Sequence, residues 1–158
     1  MEWLTLISTL SGGVLGVGST LAVEAFRAKQ ERGHHHAELQ RTACVRYLTA
    51  LTETETALQT LALSRSTPVA NGEVVEAFRS HHVIAARYEL FLVAPPTVYD
   101  AARKAYDRLR AIRVAIATTN VVVADDSADW QAIHAPYDDA FRQLRVVMRE
   151  SLNHGLRL

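Results

Sequence analysis

Residues 96–119 read PTVYDAARKAYDRLRAIRVAIATT. Val98, Ala102, Ala105, Leu109, Ile112 and Ile116 follow one another at steps of three and four, so they line one face of an α-helix. The rest of the stretch is mostly charged or small, as expected of a helix that buries a single stripe. Small residues in its first half imply close packing there. Pro95-Pro96 marks its start and stops whatever helix precedes it.

The same period extends to both sides. Upstream, the spacing predicts a helix over 73–93, with Glu73 and Glu76 in its first turn and Val74, Phe78, His81, Ile84, Ala85, Tyr88 and Phe91 facing inward. Before it, Thr67-Pro68-Val69-Ala70-Asn71-Gly72 reads as a turn. A longer helix over 27–65 turns amphipathic at Cys44, with Cys44, Tyr47, Leu48, Leu51, Leu58, Leu61 and Ala62 on one side; Thr54 and Glu55 interrupt the stripe. Downstream, Val121-Val122-Val123 has no second strand to pair with and reads as a helix end or apolar loop. Asp125-Asp126-Ser127 supplies caps for a last helix carrying Trp130, Ile133, Tyr137, Phe141, Leu144, Met148 and Leu152. Pro136 is expected to kink or restart it. Four amphipathic helices on short connections predict an all-α, up-and-down antiparallel bundle of about four helices.

A different stretch precedes the bundle. Trp3 to Val23 contains no charged side chain. As a helix its twenty-one residues rise about 31 Å, close to the ~30 Å hydrocarbon core of a bilayer. It is read as a single transmembrane helix, although six Ser/Thr and four Gly make it only moderately apolar, and burial inside a soluble oligomer is the alternative. Gly12, Gly16 and Ser19 share a small-residue stripe on which two such helices would self-associate. Arg27, Lys29, Arg32 and Arg41 follow the span, which puts the C-terminal domain in the cytoplasm and the protein in the inner (plasma) membrane. The expected organisation is a transmembrane helix over 1–26, a polar helical stalk over 27–43 and a cytoplasmic bundle over 44–158.

Composition narrows the function. Seventeen basic and seventeen acidic residues balance to zero net charge, so nothing points to nucleic acid. Arginine outnumbers lysine fifteen to two, as in the proteins of GC-rich bacteria. Cys44 is the single cysteine, on an apolar stripe, and reads as an inert core thiol. His34-His35-His36 cannot converge on one metal from regular helix, because neighbours point about 100° apart. Glu55, Glu89 and His81 do not make a di-iron site, which needs Glu-x-x-His pairs on two helices of the bundle. Asp125, Asp126, Asp129, Asp138 and Asp139 lack the spacing of a calcium loop, and the glycines of the span lack that of a phosphate loop. No metal, cofactor or catalytic set is read from the chain.

What remains is a basic edge: Arg103, Lys104, Arg108, Arg110 and Arg113, with a similar row at Arg142, Arg145 and Arg149. It reads as a solvated face with intrahelical ion pairs, or as a docking face for an acidic partner or the inner leaflet. The expectation is a membrane-anchored helical interaction module, an adaptor or small assembly subunit, with membrane lipid, a second copy through the span and a cytoplasmic protein as partners. The alternative is an oligomerising effector that perturbs the bilayer through its small-residue span.

Overall fold

The computed structural model describes residues 35–63, 70–118 and 128–155. The chain divides into two compact units, Met1–Glu38 and Leu39–Leu158, of which the second is the bundle. The span over 3–23 with Gly12, Gly16 and Ser19, the run Val121–Val123 and the caps Asp125–Ser127 lie outside the described residues. Among the described residues no helix is long and apolar enough to cross a membrane.

The described residues are helical, with no strand among them. α1 covers 35–63, α2 Asn71–Ser80, α3 Val83–Val93, α4 Pro96–Thr118 and α5 Ala128–Gly155. All six residues of the expected α4 stripe are buried, joined by Ala101. α5 buries Trp130, Tyr137, Leu144 and Met148, with Ile133 and Phe141 packed against them. In α1 burial begins at Gln40 and Ala43 and continues through Cys44, Tyr47, Ala50, Leu51, Thr54, Leu58 and Ala62.

Cross-helix contacts give the directions. Gln40 Nε2 donates to Ser151 Oγ (2.9 Å) and Tyr137 OH to the Leu51 carbonyl (3.4 Å), so α1 and α5 run antiparallel. Arg87 lies 4.3 Å from the Tyr106 ring centre and Phe91 4.8 Å from Tyr99, so α3 and α4 also run antiparallel. Tyr47 OH donates 2.9 Å to the Ala102 carbonyl and ties α1 to the middle of the core.

Three expectations need correction. Thr54 does not interrupt the α1 stripe: it is fully buried, and its hydroxyl donates 2.7 Å to the Ala50 carbonyl, so no polar group is left unmatched. The helix expected over 73–93 is two helices, broken at His81 and His82, and His81 is half-exposed instead of facing the core. His82 has φ 55° and ψ 25°, a left-handed conformation in which the chain cannot continue an α-helix. Finally, of the kink or restart expected at Pro136, the restart does not occur: α5 runs through it as one helix. Pro136 removes the hydrogen bond to the Ala132 carbonyl, but both residues are exposed, so water can take the missing place.

Proline inside a helix still costs stability. Pro136→Ala is expected to stabilise the protein by roughly 1–3 kcal/mol, read as a raised thermal midpoint in circular dichroism melts.

Candidate interaction surface

α3 is eleven residues, VIAARYELFLV, with apolar side chains on every side. A helix of that kind is normally buried all round. Its inward face is Val83, Ala86 and Leu90. Had the chain continued from α2 without a break, Ile84, Tyr88 and Phe91 would have extended the Val74–Phe78 stripe into the core. The left-handed residue at His82 resets the phase and turns them outward.

The outward face is therefore apolar and exposed: Ile84 is 38% accessible, Tyr88 59%, Phe91 55% and Leu92 80%. Ile84, Tyr88 and Leu92 recur at steps of four, and Phe91 sits beside them. Such an i, i+4, i+8 row is a ridge of the kind one helix offers to the groove of another. Single exposed apolar residues are ordinary on protein surfaces; four contiguous ones on a single short helix are not. The patch is held firmly. Phe91 packs edge-on against Tyr99, Arg87 lies between the Tyr88 and Tyr106 rings, and Arg46 Nη1 donates 2.6 Å to Glu89 Oε2 on the flank.

The basic residues of α4 do not assemble into one patch. Arg103, Lys104, Arg108 and Arg110 are exposed, whereas Arg113 is half-buried with its guanidinium 5.1 Å from the Phe78 ring centre. Arg103 and Arg110 lie on one side of α4, and Lys104 and Arg108 on another about 130° away. Asp100 is 3.9 Å from Arg103. On α5, Asp139 takes Arg142 at 3.2 Å, while Arg145 lines an open groove of about 410 Å³ with Leu48, Thr49, Thr52, Glu53 and Phe141. With opposite charges on its rim and two half-buried apolar residues, Leu48 and Phe141, in its lining, this groove has no strong preference for one ligand charge.

Burial pushes the Cys44 thiol up to about 11, so it is protonated and unreactive at neutral pH. Among the described residues no group of three or more His, Cys, Asp or Glu could hold a metal ion. His35 and His36 are on α1. The four- and seven-residue spacing of Ile84, Tyr88 and Phe91 fits an inward face as well as an outward one, so the sequence alone does not mark the ridge. The local signal was His81-His82, two polar residues where the inward stripe should have continued.

No protein family, curated protein or solved structure matches the chain.

Two outcomes check the phase of α3. Leu90→Ala is expected to cost about 2–5 kcal/mol and Leu92→Glu less than about 0.5 kcal/mol, measured by urea unfolding. At the break, His82→Gly is expected to leave stability within about 1 kcal/mol of wild type, whereas His82→Val should lose roughly 1–2 kcal/mol, because a β-branched side chain is least tolerant of φ 55°.

Proposed function

We propose that the protein is a membrane-anchored helical interaction module whose bundle docks an amphipathic helix of a partner protein on the outward face of α3. One observation carries the docking reading: Ile84, Tyr88, Phe91 and Leu92 form an exposed apolar ridge on a helix that also buries its opposite face. Helix-in-groove recognition uses anchors at this spacing, and aromatic residues supply large contact area at low conformational cost. The exposed Glu89 and the half-exposed Arg87 flank the ridge with charge of both signs and would set the register of the incoming helix. The anchor reading rests on the uncharged run Trp3–Val23, with Gly12, Gly16 and Ser19 bringing copies together and the cationic residues after it placing the bundle on the cytoplasmic side. Arg103, Lys104, Arg108 and Arg110 then tune association rate and membrane proximity more than affinity.

The two parts are tested separately in the native host. Full-length protein is expected in the membrane fraction, and a chain starting at Arg27 in the soluble fraction; a soluble full-length chain would remove the anchor. On native gels of mild-detergent extracts, the wild-type protein should migrate as a complex larger than its own oligomer. Tyr88→Glu with Leu92→Glu should collapse that band, while Arg103→Glu with Arg110→Glu should leave the band and lower the loss of it that added salt causes. A band that survives the α3 double substitution would show that partners bind elsewhere.

A further inference from the structure

His134 lies in the first half of α5 with its side chain only 18% accessible. Its Nε2 is 2.9 Å from Glu55 Oε1 of α1, and its Nδ1 is 3.0 Å from Asp138 Oδ2, one turn along α5. The Trp130 ring stacks on the imidazole at 5.1 Å between centres, and Tyr137 meets it edge-on at 5.7 Å. Ionised carboxylates only accept hydrogen bonds, so both ring nitrogens must donate, and the ring that fits this site is the imidazolium. The hydrogen bond to Glu55 raises the proton affinity of His134 above the ordinary value of 6.5; Asp138 adds to it, and burial opposes it. Among the described residues, Glu55 from α1, and Asp138 and Tyr137 from α5 itself, are the titratable groups that reach the ring.

We propose that Glu55–His134–Asp138 is a proton-operated latch that holds the first half of α5 against α1. With the proton in place, one side chain donates simultaneously across the helix pair and along its own helix. Without it, one nitrogen turns a lone pair toward a carboxylate, and one of the two contacts is lost. That half of α5 depends on such contacts, because Pro136 has already removed a backbone hydrogen bond from the adjacent turn. A second polar tie of this half to α1, Tyr137 to the Leu51 carbonyl, is long at 3.4 Å. The sign follows from linkage. The folded state binds the proton more tightly than the unfolded chain, so the latch contributes fully below about pH 6.5 and is lost as pH rises through the folded value. The device is independent of the α3 docking face.

The test uses full-length protein with ring-labelled histidine, titrated by NMR and paired with thermal melts. The His134 resonance, identified by its loss in His134→Gln, should titrate above 6.5 and move down in Glu55→Gln. Between pH 6 and 8.5 the melting midpoint of wild type is expected to fall by roughly 2–5 °C, and that of Glu55→Gln by distinctly less. Amide exchange over 130–135, corrected for its intrinsic pH dependence, should rise above the His134 midpoint while α4 stays protected. Glu55→Gln preserves size and an acceptor, so the comparison survives if His134→Gln does not fold. A His134 midpoint at or below 6.5, or equal slopes in wild type and Glu55→Gln, would overturn the latch.

Discussion

The bundle depends on the buried face of α4. Val98, Ala101, Ala102, Ala105, Leu109, Ile112 and Ile116 form an unbroken stripe, and the alanines in its first half are what let a neighbour come close. Tyr47 illustrates the consequence. Its hydroxyl reaches from α1 to the Ala102 carbonyl, an oxygen inside a helix, at 2.9 Å while the tyrosine itself is fully buried. A larger side chain at Ala102 or Ala105 would hold α1 away, and the buried phenol would lose its acceptor. Close approach and polar satisfaction are thus one constraint here, set by two small residues.

That constraint also explains why α3 exists as a separate helix. α4 offers a limited length of apolar surface to α2 and α3, and Phe78 already occupies the Tyr106 and Arg113 region. A straight helix from 71 to 93 would carry its stripe on past it. The left-handed turn at His82 instead brings Val83, Ala86 and Leu90 inward. The small Ala86 now stands where a bulkier residue would have packed, and the aromatic residues of the same helix are turned outward. An exposed apolar ridge is the by-product of this choice, and a cell that keeps such a surface soluble has reason to cover it.

Helices with one apolar face were legible from sequence because a single period fits them: all six expected α4 residues are buried, with Ala101 added, and the α5 stripe is nearly as complete. α3 was not, because VIAARYELFLV is apolar all round and supports more than one inward phase. Its phase is decided by one residue of unusual backbone conformation, and histidine does not announce φ > 0 as glycine would. Thr54 departs from the polarity pattern for a related reason: its hydroxyl is satisfied within its own helix, which a polarity count cannot see. His134 carried a local signal, Asp138 four residues on. Its partner Glu55 lies seventy-nine positions away, and only the packing of α1 on α5 brings the two together.

α1 meets histidine on two sides, and comparing them shows why one contact matters. Glu53 and Glu55 are two residues apart and so point about 200° from each other around α1. Glu53 meets His81 at 3.5 Å, with the two side chains 54% and 34% accessible; Glu55 meets His134 at 2.9 Å, with both at 18%. Water and salt screen the first pair, and exposed pairs of this kind contribute about 0–1 kcal/mol. The second pair is closer, better shielded and shared with Asp138. The hydrogen bond to Glu55 favours the protonated ring most and burial opposes it, but the charges of Asp138 and Glu55 and the hydrogen bond to Asp138 outweigh that cost, so proton binding and packing of α5 on α1 reinforce each other. A helix pair built this way places its proton-dependent contact in the half of α5 that also carries Pro136.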